Sequence, residues 1–272
     1  MAFLYALSDI HGELEIFKTA LQQVNLSNPD NRLFLLGDYI DYGPESGPVL
    51  RYIYKLQRIY GRKRVVALKG NHEVWLLEWL AAYSGRNSQK SPDSELFAWN
   101  DWLQTDSETD FATLRTLLSP EACLELAQGA LAVHKTETNM QAAQLVLDEN
   151  QELISWLRHL PLYSETERQI FVHAGVDEAA GDLWTVGTPE NMFTEKYPAE
   201  MGSFYKDIIA GHIGTASICG NPDYHRVFWD GQSHYYIDGS TADSGCLPIL
   251  KYDTESGRYT EIIGEVEREI RS

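Results

Sequence analysis

Basic residues are scarce: 22 Lys and Arg against 40 Asp and Glu leave a formal net charge of −18. Such a chain lacks the basic surface that a nucleic-acid duplex requires, and an anionic membrane surface repels it. The acidic residues are spread along the chain, so the charge suits solubility and cation recruitment rather than a disordered tail. Cysteine is also sparse. Cys123, Cys219 and Cys246 show no CxxC spacing, which excludes a thiolate zinc site and reads as small buried side chains in a reducing compartment. No run reaches the roughly 20 apolar residues of a membrane span. The N-terminal MAFLYALSDIHGE has no basic region and too short an apolar stretch for a signal peptide, so a cytoplasmic location is expected. There is no phosphate-cradling GxxxxGK[ST] loop and no nucleophile elbow around a Ser or Cys; no covalent enzyme intermediate is expected. Internal repeats and low-complexity tracts are absent too.

What is present is ordinary globular material, 43% hydrophobic and 23% charged over 272 residues, enough for one large α/β domain or a core with an insertion. Phe3 to Leu7 reads as a strand ended by a polar turn. Leu14, Phe17, Leu21 and Val24 follow at helical spacing. The stretch LFLLGDYIDYG (Leu33 to Gly43) is a second buried strand that stops at Gly37. A helix with Val49, Ile53 and Leu56 inward ends at Gly61, and Val65 to Leu68 is a third strand. This strand–helix alternation argues for a parallel or mixed sheet.

From Val74 to about Arg168 strand signals nearly vanish. Leucines and tryptophans at helical spacing mark a helical insertion or cap, broken by the polar stretch SGRNSQKSPDS (Ser84 to Ser94). Strand character returns at Gln169 to Ala174 and Ile208 to Ala210. Short runs then follow at Arg226 to Asp230, His234 to Asp238, Leu247 to Tyr252 and Arg258 to Ile263, separated by Gly turns. They form a second sheet or continue the first.

Five strand ends carry one signature: Asp9-x-His11, Asp38 with Asp41, Asn71-His72, His173 and His212, each after an apolar run and flanked by Gly. Any one of them alone is as well explained by a turn or a satisfied core histidine. Together they form a set of carboxylate, imidazole and amide oxygen that suits two divalent ions such as Mn, Fe or Zn. Two ions held close together need a bridging carboxylate, and Asp38, midway in the set, is the choice.

The ordered motifs Ser8-Asp9-Ile10-His11-Gly12, Gly37-Asp38-Tyr39-Ile40-Asp41, Gly70-Asn71-His72-Glu73, His173-Ala174-Gly175 and Gly211-His212 resemble those of calcineurin-like metallophosphoesterases. The nearest likeness is to the phosphoprotein-phosphatase branch, whose bacterial members include serine/threonine phosphatases and symmetrical diadenosine tetraphosphatases. The final Tyr235 to Ser240 and Gly245 to Leu247 resemble that branch's last strands. The resemblance implies an α/β fold, a four-layer αββα sandwich of two mixed sheets, as a single domain over 1–272 with the helical cap inserted at about 74–168. It implies that Asp9, His11 and Asp38 hold one metal, and that Asp38, Asn71, His173 and His212 hold the other. It casts His72 as general acid and Asp41 as the group that orients it.

Two departures bear on the substrate. The family motif continues Asp-Arg-Gly, its Arg gripping phosphate, whereas this chain has Tyr42 there. A second family Arg, two residues after a Trp, falls on Val186 in the run Leu183-Trp184-Thr185-Val186. Either another cation, Lys69 or Arg86, takes over, or the substrate differs and Tyr42, together with Asn71, contacts it. His134, His159, His225 and His234 are expected at the surface or in packing, and Trp75, Trp79, Trp99 and Trp102 in the core. The expected function is a phosphoric-ester hydrolase of the serine/threonine-protein-phosphatase kind, acting on a phosphorylated partner. The alternatives are a diadenosine polyphosphate or other nucleotide or phosphodiester hydrolase and, from another class, a non-catalytic binding protein on this scaffold.

Overall fold

The computed structural model describes residues 2–85, 112–130 and 135–271. Two mixed sheets face each other. The first runs β11-β10-β9-β1-β2-β3 and the second β4-β5-β6-β8-β7. In the first, β1 (Phe3–Leu7), β2 (Arg32–Leu35) and β3 (Val65–Ala67) are parallel. The antiparallel strands β9 (Ile249–Asp253), β10 (Tyr259–Ile263) and β11 (Val266–Arg271) extend it from β1. In the second, β5 (Gln169–Val172), β6 (Asp207–Ala210) and β8 (His234–Tyr236) are parallel, flanked by β4 (Tyr163–Glu165) and β7 (Phe228–Trp229). The C-terminal strands therefore divide: β7 and β8 join the second sheet, and β9 to β11 complete the first.

The two-residue period of a strand sorts side chains into layers. Leu4, Ala6, Phe34, Leu36 and Val66 turn toward the second sheet and meet Phe171, Ile209 and Tyr235. The Phe34 and Phe171 rings lie stacked across this gap at 3.7 Å. The alternate residues Tyr5, Leu7, Leu33, Leu35 and Val65 face the helices. Ile170, Val172, Ile208 and Tyr236 cover the outer side of the second sheet with Trp184 and Phe193. Each Leu or Phe buried this way contributes roughly 1.5–3 kcal/mol of hydrophobic stabilisation.

The helical layer on the first sheet consists of α1 (Leu14–Leu21), α2 (Ser46–Tyr60), α3 (Asn71–Tyr83), α4 (Ala112–Leu117), α5 (Pro120–Ala130), α6 (Lys135–Glu149) and α7 (Gln151–Arg158). Leu114, Leu117, Ala142, Val146 and Leu157 share one apolar cluster with Leu7, Leu35 and Ile53. The region read as an insertion is thus continuous with the core on that face. One strand, β4, lies inside the stretch expected to be helical. Most of Ser84 to Ser94, with Arg86, Trp99, Trp102 and His134, lies outside the described residues. Among the described residues, no helix is long and apolar enough to cross a membrane.

Candidate active site

Six parallel strands end on the same edge of the sandwich, the usual ligand side of such sheets. Asp9 follows β1, Asp38 follows β2, and Asn71 opens α3 after β3. His173 follows β5, His212 follows β6 and Asp238 follows β8. The backbone there is contorted. Among the described residues, the non-glycine positions with positive φ are Asp9, His11, Asp38, Asp41, Tyr42, His212 and Ser240, and left-handed backbone of this kind collects where function over-determines conformation. Gly70 leaves the space for it: a Cβ there would stand 2.1 Å from Asp38 Oδ1 and 2.5 Å from its backbone nitrogen.

Asp38 lies at the centre, 3% exposed. His173 Nε2 is 3.4 Å from its Oδ2, His11 Nε2 3.7 Å and His72 Nε2 3.8 Å. The remaining ring nitrogens are already committed. His11 Nδ1 donates to the Ile40 carbonyl (2.8 Å) and His173 Nδ1 to that of Leu36 (2.9 Å). A backbone carbonyl accepts only, so each Nδ1 is a donor and each Nε2 is turned toward the centre, the arrangement that orients metal-ligating histidines. Asn71 Oδ1 lies 2.9 Å from His173 Nε2 and 3.0 Å from His212 Nδ1.

Two ligand groups result, His11–Asp38–His72 and Asp38–His173–His212, each with its ligand atoms within 4.8 Å of one another. Asp38 belongs to both. Asp9 belongs to neither group; it is buried, and its carboxylate accepts the His212 backbone N–H.

The charges show what this arrangement lacks. Burial, and then Asp238 beside it, raise the Asp9 carboxyl well above the usual range. Burial lifts Asp238 to about 6. Asp38 instead stays strongly acidic, because His173 and His72 outweigh the cost of burial. Burial works against charge on His72 and His173 as well, yet the adjacent Asp38 raises each to about 9, helped at His72 by Asp41. Burial, and then His173, depress His212 to about 4. Clustered buried carboxylates with imidazoles as their only counter-charges fit divalent cations, which would relieve the repulsion. The donor set of oxygens and imidazole nitrogens without thiolate matches such ions.

His72 and Asp41 form a pair: His72 Nδ1 donates to Asp41 Oδ2 at 2.6 Å. Tyr42 stands over them, 61% exposed, its ring edge-on to His11 (4.7 Å) and 5.4 Å from His72. Trp75 lies on the other side, 4.9 Å from the His72 ring, with its indole N–H donating to Glu195 (2.8 Å). The cleft, about 340 Å³, is lined by His11, Asp38, Tyr42, Asn71, His72, Trp75, His212, Asp238, Ser240, Ala242 and Asp243. Among these there is no Lys or Arg.

Several expectations change. Trp75 lines the cleft instead of the core, whereas Trp79 is in the core as expected. Lys69 does not replace the missing arginine: its ammonium donates to the Arg158 carbonyl and does not line the cleft. Val186 is 81% exposed and equally absent from the lining. His234 is a buried ion-pair residue between Asp230 and Glu178.

Two acidic residues at the floor are not among the sequence candidates. Asp238 ends an apolar run at an Asp-Gly step, the signature used at the other strand ends. Glu73 gave a weaker signal. It is fully buried, and its carboxylate accepts the N–H groups of Gly70, Asp38 and Tyr39 at 2.8–2.9 Å, locking the turn that carries Asp38.

The family model described as calcineurin-like phosphoesterase matches residues 4–243. The chain belongs to the calcineurin-like phosphoesterases. It is therefore a phosphoric-ester hydrolase, of a family that uses a dinuclear divalent metal centre.

Among curated relatives, this phosphoesterase is 24% identical over 259 residues to a protein of Nitrosococcus oceani named symmetrical bis(5'-nucleosyl)-tetraphosphatase. That alignment covers 94% of the chain and 69% of the relative. A protein of the same name from Buchnera aphidicola is 35% identical over 103 residues, 37% of this chain and 35% of that one. Among solved structures, one titled a putative diadenosine tetraphosphatase matches at a TM-score of 0.51 and 16% identity, over 96% of this chain and 93% of that one. A cold-active protein-tyrosine phosphatase of a psychrophilic Shewanella matches at 0.57 and 14%, over 99% and 80%. At those identities the structural likeness establishes the fold.

Proposed function

We propose that this phosphoesterase hydrolyses a nucleotide ester or anhydride, with dinucleoside polyphosphates as the first candidates. The observation that carries this reading is the rim: the Tyr42 and Trp75 rings both pack on His72, and among the described residues no Lys or Arg lines the cleft. A site that grips a phosphomonoester by charge places a bidentate Arg on it. Aromatic faces instead recognise a ring, and a nucleobase is a ring joined to phosphate. The names of the relatives above agree with this choice.

In this reading Asp9, His11 and Asp38 hold one divalent ion, and Asp38, Asn71, His173 and His212 the other. When bound, the ions neutralise the phosphoryl oxygens and activate water for in-line attack. His72 presents Nε2 to the leaving oxygen and gives it a proton. Asp41 fixes the imidazole through Nδ1 and favours its charged form. Mn is the first ion to test, since oxygen and imidazole donors accept it.

A phosphoserine or phosphothreonine peptide is the second reading. The exposure of Tyr42 favours it, because an open rim admits a chain. The test is a panel on Mn-loaded protein: diadenosine tetraphosphate, a phosphoserine peptide, a phosphotyrosine peptide and bis(4-nitrophenyl) phosphate. The nucleotide should give the highest kcat/KM; preference for the phosphoserine peptide would overturn the assignment. Two bound metals with no turnover of any member would instead indicate a binding protein.

A further inference from the structure

Asp41 is held by a side chain from a distant part of the chain. Its Oδ2 takes the His72 Nδ1 proton, and its Oδ1 accepts from the hydroxyl of Thr113 at 2.5 Å. Thr113 stands in α4 and is 2% exposed. The Asp41 backbone N–H donates to Ser46 Oγ at 2.9 Å, and the Ser46 and Thr113 hydroxyls are 2.9 Å apart. A hydroxyl has one proton to give. With Thr113 donating to the carboxylate, Ser46 donates to Thr113. The ring Asp41–Ser46–Thr113 then closes with each proton used once.

This contact is built, not incidental. Gly47 N–H donates to Thr116 Oγ1 at 2.8 Å, and Arg51 Nη1 donates to the Thr116 carbonyl at 2.9 Å. Arg51 Nη2 also donates to Asn150, whose amide donates to the Leu117 carbonyl. These bonds lay α4 against the first turn of α2. A Cβ on Gly47 would lie 2.3 Å from the Thr116 carbonyl oxygen, so only glycine allows that approach.

We propose that Thr113 is a positioning residue for proton donation, acting through Asp41 on His72. A carboxylate held by one partner turns readily about its terminal torsion. Fixing Oδ1 leaves Oδ2 alone to meet the imidazole, and the ring then aims Nε2 at the leaving oxygen. The helical region thereby sets the geometry of the acid without touching substrate. The inference rests on the reading of His72 as general acid.

The test compares kcat for the phenyl and 4-nitrophenyl esters of thymidine 5'-monophosphate on Mn-loaded full-length protein. Nitrophenolate departs without a proton, whereas phenolate is helped by one. With Thr113→Val, kcat on the phenyl ester should fall roughly tenfold and on the nitrophenyl ester less than about twofold. KM and bound Mn should be unchanged, the melting temperature should drop by a few degrees for the lost buried hydrogen bonds, and Thr113→Ser should restore the phenyl rate. Should the valine variant fail to fold, Thr113→Ala poses the same question. Equal losses on both esters, an unchanged phenyl rate, or no rescue by serine overturns the role of Thr113. His72→Asn is the control. If it costs both esters equally, or if the native protein cleaves neither, the general-acid reading falls and this inference with it.

Discussion

Asp38 and Tyr42 stand on the same loop, yet they belong to regions of opposite character. Asp38 is in the floor of the cleft, 3% exposed, its carboxylate ringed by three histidines and its backbone amide held by Glu73. Tyr42 is in the rim, 61% exposed, and its ring meets His11 and His72 edge-on. The floor comes from strand ends of the two sheets, its residues fixed by backbone, carboxylate or amide partners. The rim is assembled from a loop, a helix and the segment after β8. A floor built in this way commits the protein to one reaction chemistry, and a rim built in this way leaves the substrate adjustable.

The largest effect should follow from breaking the floor at its shared residue. Asp38→Asn removes the carboxylate common to both ligand groups. Bound metal, measured by elemental analysis, should fall to background and turnover with it, while Tyr42→Ala keeps its full metal content. Equal metal loss in the two variants would erase the distinction between floor and rim.

The rim predicts a smaller effect of a different kind. Stacking on an aromatic side chain is worth roughly 1–3 kcal/mol per base, so Tyr42→Ala should raise KM for a dinucleotide about tenfold with kcat nearly intact. Tyr42→Arg should raise kcat/KM on simple phosphomonoesters, because it supplies a bidentate cation that none of the described lining residues provides. A fall in monoester turnover in that variant would sever the link between the missing arginine and substrate choice.

The same division decides what could be read from the sequence. Asp9, His11, Asp38, His173 and His212 were legible because a buried strand ending at Gly beside a polar residue is a local pattern, and local patterns survive in one dimension. The two-sheet α/β fold followed from strand–helix alternation together with the family resemblance. Asp238 carries the same local signal, an apolar run ending at Asp-Gly, but that step also reads as an ordinary turn between strands. Trp75 could not be placed, because helical spacing alone does not tell the core face of α3 from the face that meets the cleft. Thr113 was out of reach: it meets Asp41 across 72 positions of sequence, in a helix with no motif. β11 is equally hard to read, because four of its six residues, Glu267, Arg268, Glu269 and Arg271, are charged and mask any alternation.

The smallest expected effect lies away from both regions. Both ring nitrogens of His234 face carboxylates, Nδ1 to Asp230 at 2.9 Å and Nε2 to Glu178 at 3.0 Å. Burial lowers the His234 pKa, but Glu178 and then Asp230 outweigh it, so the folded value lies above the ordinary one. The stabilisation of charged His234 is therefore complete below about pH 6.5 and is lost as pH rises through the raised folded value. The Glu178 and Asp230 carboxyls move the other way: burial would raise them, but His234 outweighs it at Glu178, and amides including Gly202 do so at Asp230. Their contribution is present above about pH 4 and is lost as pH falls below it. His234→Gln should lower the melting temperature by a few degrees at pH 6 and by less at pH 9, a difference on the scale of about 1 kcal/mol. An equal loss at both pH values would show that packing, not charge, holds this histidine.

The central claim is that one buried carboxylate, Asp38, serves two metal ions at the meeting of the two sheets. Anomalous diffraction from crystals grown with Mn tests it directly. The account predicts two anomalous peaks in the floor with the Asp38 carboxylate between them, one beside His11 and the other beside His173 and His212. A single peak, or two peaks of which only one contacts Asp38, would contradict it.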